Sequence, residues 1–205
     1  MATADTRAAF AEGAARDGVV LAPATFDWLC EQGHVGLERV AKARRDPAIV
    51  APVIAALAVL ERIFARLRGD VTVLHAAREN LLLPCDLVHT PSRTIVEVDG
   101  PEHFTSARLA ALELYPADAA VGFDVAAHAA LCRELAATAD LGSRGLPAKA
   151  FGFAGVLRER AYHDALRDLA APAMGHPPLI RIAAPGGDGA AVYARHRDTL
   201  APLAG

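Results

Sequence analysis

The stretch that decides the fold is residues 84–104, which read PCDLVHTPSRTIVEVDGPEHF. Residues 94–99 have the β-branched content and the period-2 alternation of a strand. The residues from Leu81 to His89 alternate in part, and Thr90–Arg93, between these two segments, has the composition of a turn. We therefore predict an antiparallel hairpin that ends at the following Gly-Pro pair.

The register of this hairpin brings acidic side chains together. A tight turn centred on Pro91 and Ser92 places Asp86 directly opposite Glu97, and opposed side chains have Cβ atoms about 4.5–5.5 Å apart. Asp99 lies two residues beyond Glu97 and so shares its face. Crowded carboxylates repel one another, and a hard divalent cation such as Mg²⁺ or Mn²⁺ relieves that repulsion. The alternatives are that the acids form the solvated side of the hairpin, or that a one-residue slip moves Asp86 to the other face.

The segments on either side of the hairpin alternate between helical and extended patterns. Residues 47–68 carry apolar side chains at steps of three and four, which is typical of a helix. Val71–His75 is short and β-branched, and we predict it as the first strand of a three-strand antiparallel meander. Residues 157–170 have an amphipathic helical pattern, and residues 178–183 have the pattern of a strand. The predicted order is helix, three strands, helix, strand.

These elements predict an α/β fold with two helical additions. Residues 47–205 would form the α/β domain, and residues 104–150 would be a helical insert within it. Residues 1–46 are rich in alanine and would form a helical N-terminal extension.

The composition excludes several classes of protein. Of the 205 residues, 53% are hydrophobic and 5% aromatic, and the net charge of -3 argues against a protein that coats nucleic acid by bulk electrostatics. The three widely spaced cysteines match neither a disulfide framework nor a metal knuckle. Residues 1–17 lack the apolar core of a signal peptide, and the apolar run Ala48–Leu60 is too short to span a bilayer. We expect a cytoplasmic protein that has no membrane partner.

The acids of the hairpin also resemble a known pattern. Asp86 followed by Glu97-Val-Asp99-Gly is similar to the PD-(D/E)XK nuclease superfamily, in the branch where the strand motif reads ExDG and is followed by histidine. Residues 95–104, which read IVEVDGPEHF, are similar to the RAP domain and to very-short-patch-repair-like endonucleases. The restriction-endonuclease-like core of that superfamily is helix, three-strand meander, helix, strand. The resemblance covers about half of the chain by topology, but only the hairpin region by motif.

The resemblance implies roles for individual residues. Asp86 and Glu97 correspond to metal-binding acids, and Asp99, which we also expect to bind the metal, stands where the commonest members have lysine. Because that lysine assists the attacking water and the transition state, another group must do so here. His103 is a candidate general base or ligand, with capping of the next helix as its alternative role.

The later helix would pack beside the hairpin in this fold. Its Arg160 and His163 are therefore candidates to supply positive charge to the site. Together with Arg167 they share one helical face, and the alternative is that this face is simply solvated and carries ion pairs between neighbouring turns.

The leading hypothesis is a Mg²⁺- or Mn²⁺-dependent phosphodiesterase, a nuclease that acts on DNA or RNA. The second is a catalytically degenerate module on the same fold that binds nucleic acid or protein. A third is a metal-dependent enzyme for a small molecule, in which the insert roofs a pocket. The sequence leaves open whether the chain is a monomer or a homodimer.

Overall fold

The computed structural model of the protein describes residues 4–78 and 81–204. Their centre is a mixed four-stranded sheet in which the strands lie in chain order. The first two pairs of neighbouring strands are antiparallel, and the last pair is parallel. The strands are β1 (Leu21–Ala24), β2 (Cys85–His89), β3 (Thr94–Asp99) and β4 (Ile180–Ala183). The predicted α/β class is confirmed.

Eight α-helices surround this sheet in the described ranges. They are α1 (Ala4–Arg16), α2 (Gly33–Arg44), α3 (Pro47–Arg66), α4 (Val71–His75), α5 (Ser106–Leu112), α6 (Val125–Ala139), α7 (Val156–Ala173) and α8 (Gly189–Leu200). One apolar core joins one face of the sheet to α1 and α8, and a larger core joins the other face to α2, α3, α5 and α7. The sheet is thus covered on both faces, as expected for an α/β protein.

Alternation along the two central strands divides their side chains between these cores. Val96 and Val98 of β3 pack with α1 and α8, whereas Ile95 faces the larger core. By the same alternation Glu97 and Asp99 share the face of Ile95. That face therefore changes from apolar to ionisable along the strand, beneath α7.

The predicted hairpin and its register are confirmed. Leu87 pairs with Val96, and the adjacent pairs keep the same register. Continued by one residue, this register places Asp86 opposite Glu97. The turn is Thr90–Arg93, closed by a 2.8 Å hydrogen bond from the Arg93 N–H to the carbonyl oxygen of His89.

The prediction of a first strand at Val71–His75 was wrong, because these residues form the helix α4. The side chain of Asp70 accepts hydrogen bonds from the N–H groups of Thr72 and Val73, and Leu74 is buried in the core. An N-cap and one buried contact outweigh the weak β preference of a five-residue segment. The third antiparallel strand is instead β1, from within the predicted N-terminal extension.

The other predicted elements lie close to the observed ones. Residues 47–68 correspond to α3, residues 157–170 to α7 and residues 178–183 to β4. The insert, residues 104–150, contains α5 and α6 as well as short 3₁₀ turns. Because α5 contacts α7 and α6, the insert packs against the helix that faces the acidic end of the hairpin.

The helix α3 extends beyond the apolar run Ala48–Leu60. By length and composition it is the one helix in the described part of the chain that is long and apolar enough to cross a membrane. Core helices of soluble proteins meet the same criterion. Six residues of α3 are buried within the protein, namely Val53, Leu57, Val59, Leu60, Ile63 and Phe64.

Replacing Asp70 tests the assignment of α4 as a capped helix. We expect Asp70→Ala to lower the free energy of unfolding by about 1 kcal/mol, because two helical N–H groups lose their acceptor. Asp118→Ala, at an exposed acid outside any helix, serves as the control and should change stability little. Urea denaturation measures both variants. An Asp70→Ala protein as stable as the control would contradict the cap.

The start of α2 is fixed by a buried tyrosine of α7. Gly33 has a φ of 55°, and a Cβ at this position would lie 2.2 Å from the hydroxyl of Tyr162. That hydroxyl accepts a 2.8 Å hydrogen bond from the N–H of His34 and lies 2.8 Å from its Nδ1. It can therefore donate to an unprotonated imidazole. Burial, with a smaller effect from His75, lowers the pKa of His34 from 6.5 to about 4.

A pH dependence of stability follows from His34. Between pH 6.5 and 4 the unfolded chain binds a proton at His34 that the folded protein excludes, so its contribution to stability falls as the pH falls. We expect wild type to lose stability relative to His34→Asn across this range, and the difference to level off below it. Denaturation of both proteins at several pH values measures this. A difference that stays constant from pH 7 to 4 would rule out the buried neutral imidazole.

Candidate functional site

A cavity of about 300 Å³ lies between the acidic end of the hairpin and α7. Five of the six residues predicted to be catalytic line it, namely Asp86, Glu97, His103, Arg160 and His163. Arg7, Glu159, Asp164 and Arg167 complete its charged lining. The predicted packing of the later helix beside the hairpin thus brings distant residues to one place.

Asp86 and Glu97 are connected across the two strands. The N–H of Asp86 donates a 3.0 Å hydrogen bond to Oε1 of Glu97, and the N–H of Val98 donates a 3.2 Å bond to Oδ2 of Asp86. Each carboxylate therefore accepts from a backbone amide of the opposite strand. These bonds hold the two acids in fixed positions at one end of the hairpin.

Each of these two acids also has an arginine nearby. Arg7 of α1 forms an ion pair with Oδ1 of Asp86, and the two side chains are 28% and 15% exposed. Arg167 of α7 places its Nε 3.8 Å from Oε1 of Glu97. Burial raises the pKa of Glu97 to about 7, although Arg167 opposes this effect. Glu97 is thus poised to gain or lose a proton near neutral pH.

Asp99 does not line the cavity. It is fully buried and accepts a 2.7 Å hydrogen bond from Nη1 of Arg181. Arg181 comes from β4, where it pairs with Glu97 in the parallel register. The third acid of the predicted metal set therefore binds a cation of the protein itself, behind the wall of the cavity.

Arg181 is the centre of a larger buried network. Its Nε lies 2.8 Å from Asp168 and its Nη2 lies 3.2 Å from Asp164, both on α7. Asp168 also accepts 2.6 Å hydrogen bonds from Arg108 and Tyr115 of the insert. Although burial alone would raise it, the two arginines keep the pKa of Asp168 below its ordinary value. The network links sheet, helix and insert through charge.

His103 connects this network to the cavity. Its Nδ1 lies 2.9 Å from Oδ2 of Asp164 and 3.5 Å from Oδ1 of Asp99. Burial acts to lower the pKa of His103, but the two carboxylates outweigh it and the pKa is raised. The ring therefore keeps its proton to a higher pH than a free histidine. This favours a proton donor over the general base suggested by the sequence.

The residues of α7 divide between charged and neutral. Burial and the neighbouring Arg167 lower the pKa of His163 to about 3, so it is neutral near pH 7 and does not supply the positive charge that we expected of it. Arg160, half-buried, donates a 3.4 Å hydrogen bond to the carbonyl oxygen of Glu102. The guanidinium groups that line the cavity are those of Arg7, Arg160 and Arg167. Neither Arg160 nor His163 belongs to a freely solvated face.

No group of three or more His, Cys, Asp or Glu side chains in residues 4–78 and 81–204 is arranged to hold a metal ion. Asp86 and Glu97 are the two carboxylates that the hairpin brings together at the cavity, and Asp99 is separated from them by its bond to Arg181. The crowding that led us to predict a cation is relieved in this structure by arginines.

Several residues of the site were not predicted from the sequence. Arg7 lies 79 positions from Asp86, and nothing local connects them. Arg181 had a usable signal, since a lone arginine within an apolar strand needs a buried partner. Asp164 and Asp168 lie one turn apart on α7, which places them on one face of a helix.

The lining of the cavity carries groups of both charge signs. Its opposed carboxylates offer hard oxygen donors to a cation, and its three arginines offer donors to a phosphate or a carboxylate. Comparisons of the chain with family models, with curated proteins and with solved structures give no match.

Removing the buried guanidinium of Arg181 should destabilise the fold far more than removing the partly exposed guanidinium of Arg7. Arg181→Met leaves Asp99, Asp164 and Asp168 without their shared cation, and we expect it to lower the free energy of unfolding by about 3–5 kcal/mol. Arg7→Ala removes a partly exposed ion pair and should cost less than about 1 kcal/mol. Thermal and urea denaturation compare the two. Equal effects would show that the buried network does not stabilise the fold.

Proposed function

We propose that the cavity is the active site of a metal-dependent phosphodiesterase that acts on nucleic acid. The observation that carries this proposal is the opposed pair Asp86 and Glu97, fixed on neighbouring strands at a cavity that Arg160 and Arg167 also line. Acids on adjacent antiparallel strands that face two arginines of a helix suit the binding of a cation together with a phosphate.

The topology gives partial support to a restriction-endonuclease-like core. The helix α3, the antiparallel strands β2 and β3, the helix α7 and the parallel strand β4 follow one another as the resemblance implies. The departure is β1, which completes the antiparallel part of the sheet but precedes α3 in the chain. The similarity to PD-(D/E)XK nucleases is therefore proposed for the hairpin, α7 and β4.

The donors at the cavity fit a small hard cation. Mg²⁺ is commonly held by one or two carboxylates, with water and substrate phosphate at its other positions. Asp86 and Glu97 would hold Mg²⁺ or Mn²⁺ here, once Arg7 releases Asp86. When bound, such an ion polarises a phosphoryl oxygen and lowers the pKa of a bound water. Replacing Arg7 by a cation at Asp86 costs little free energy, because the ion pair between Asp86 and Arg7 is partly exposed.

The other residues would act on the phosphate. Arg167 is the candidate for the charge stabilisation that lysine gives in the commonest family members, since Asp99 is held by Arg181. Arg160 would bind a neighbouring phosphate oxygen. His103, whose pKa Asp164 and Asp99 raise against the effect of burial, would give a proton to the leaving oxygen.

A second candidate is a module that binds nucleic acid or protein without hydrolysis. The specific observation in its favour is that Asp86, Glu97 and Asp99 each already have an arginine close by. With the acids compensated in this way, Arg160 and Arg167 would contact phosphates directly. Metal would then be unnecessary for binding.

A cleavage assay with labelled DNA and RNA, single- and double-stranded, separates these candidates. With Mg²⁺ or Mn²⁺ we expect cleavage by wild type and a loss of about 100-fold or more in Glu97→Gln, because a metal-binding oxygen is removed. Glu12→Gln, at an exposed acid of α1, is the matched control and should cleave like wild type.

The binding arm of the experiment decides between the two candidates. Affinity that is unchanged by EDTA and by Glu97→Gln, lowered in Arg167→Gln, and unaccompanied by cleavage would favour the module and reject the enzyme. Absence of both cleavage and binding for every DNA and RNA substrate would reject the enzyme and the nucleic-acid-binding module.

A further inference from the structure

We propose that the protein has a second ligand site, a basic cavity that binds the phosphate group of a nucleotide, either free or within a strand. This cavity, of about 380 Å³, lies where the end of α3, the helix α5 and the start of α7 meet. Among the residues that the structure describes, none lines both this cavity and the cavity of Asp86 and Glu97.

Its charge is the first argument. Arg66, Arg68 and Arg158 line it, and no carboxylate in the described part of the chain does. None of these arginines forms an ion pair with another residue that the structure describes. The chain as a whole is acidic, so three arginines around one cavity without a carboxylate are a local departure that an anion would compensate.

The walls strengthen this field. The remaining lining is mostly apolar, including Leu67, Ala107 and Leu157. Apolar walls of low polarisability focus the field of charges into a cleft. Ser106, whose hydroxyl also lines the cavity, donates to the carboxylate of Asp140 at 2.7 Å, so recognition rests on the arginines.

Arg158 is held in place by the backbone. Its Nη2 donates to the carbonyl oxygens of Phe151 and Phe153, at 2.5 and 2.9 Å. Its Nε is buried and has no hydrogen-bond partner among the described residues. A guanidinium that is already ordered loses little conformational freedom when it binds an anion, and a phosphate oxygen would satisfy a donor of this kind.

Arg68 stands at a backbone position that favours glycine. Its φ is 59°, two residues beyond the last residue of α3, and the N–H of Gly69 closes the helix by bonding the carbonyl oxygen of Phe64. Glycine is the usual residue in this left-handed position. Arg68 occupies this position although glycine is preferred there, and its side chain lines the cavity.

An exposed aromatic ring indicates that the ligand is a nucleotide rather than inorganic phosphate. Phe153 is 81% exposed, and its neighbour Ala154 lines the cavity. Exposed rings beside basic clefts stack on nucleic-acid bases in a sequence-tolerant way. The combination of three guanidiniums and a ring fits a phosphate and its base.

The test measures binding in EDTA, so its result does not depend on hydrolysis at Glu97. A fluorescein-labelled single-stranded DNA is titrated with three proteins: wild type, the double variant that combines Arg66→Gln and Arg68→Gly, and the control Arg62→Gln. The control changes an exposed arginine of α3 outside the cavity. Arg68→Gly suits the left-handed backbone and should preserve the fold, as thermal denaturation checks. We expect at least about a tenfold weaker affinity in the double variant, and a salt dependence shallower by about 0.7 for each phosphate that the variant no longer binds.

Competition by inorganic phosphate and by a mononucleotide identifies the source of the phosphate. Competition by the mononucleotide, weakened by Phe153→Ala, supports a free nucleotide, whereas the absence of competition alongside the tenfold loss for DNA supports a strand. An equal loss of affinity in Arg62→Gln would show general attraction to a basic helix and would overturn the proposal. Unchanged affinity in the folded double variant would overturn it as well.

Discussion

The contact on which the rest of the structure depends is the buried guanidinium of Arg181 and its three aspartates. It joins Asp99 at the end of the hairpin to Asp164 and Asp168 on α7. A charged strand residue in an apolar sheet is tolerated only where its donors are satisfied. Because Asp168 also binds Arg108 of the insert, the position of the insert follows from the same charge. The cavity exists between hairpin and helix because this network fixes both.

The arginines beside the acids differ in how easily they can be exchanged. Arg181 is buried, and removing it would leave bare carboxylates in the core. Arg7 is partly exposed and pairs with Asp86 at the rim, where water can replace either partner. The protein therefore separates a permanent charge compensation, which maintains the fold, from a replaceable one at the cavity. Only the replaceable one leaves room for a ligand.

What could be predicted from the sequence was local. The turn residues and the alternation of residues 94–99 are sufficient for the hairpin register. Helical periodicity placed Arg160 and His163 on one face of the helix, but only the fold implied by the resemblance predicted that the helix packs beside the hairpin. The strand predicted at Val71–His75 was wrong because a cap and a buried side chain decide so short a segment. The strand β1 escaped notice because it has four residues and includes a proline, which an edge strand tolerates. The arginine partners come from distant segments, so no local pattern contains them.

The strand β1 also determines how the sheet meets its surroundings. It covers the backbone of β2 on the side away from β3, and the helix just before it provides Arg7. A chain that lacked α1 and β1 would expose the amides and carbonyls of β2. A strand of another copy could then pair with this edge of the sheet. The same shortening would leave Asp86 without its arginine. The N-terminal segment thus covers the backbone of β2 and supplies the arginine beside Asp86.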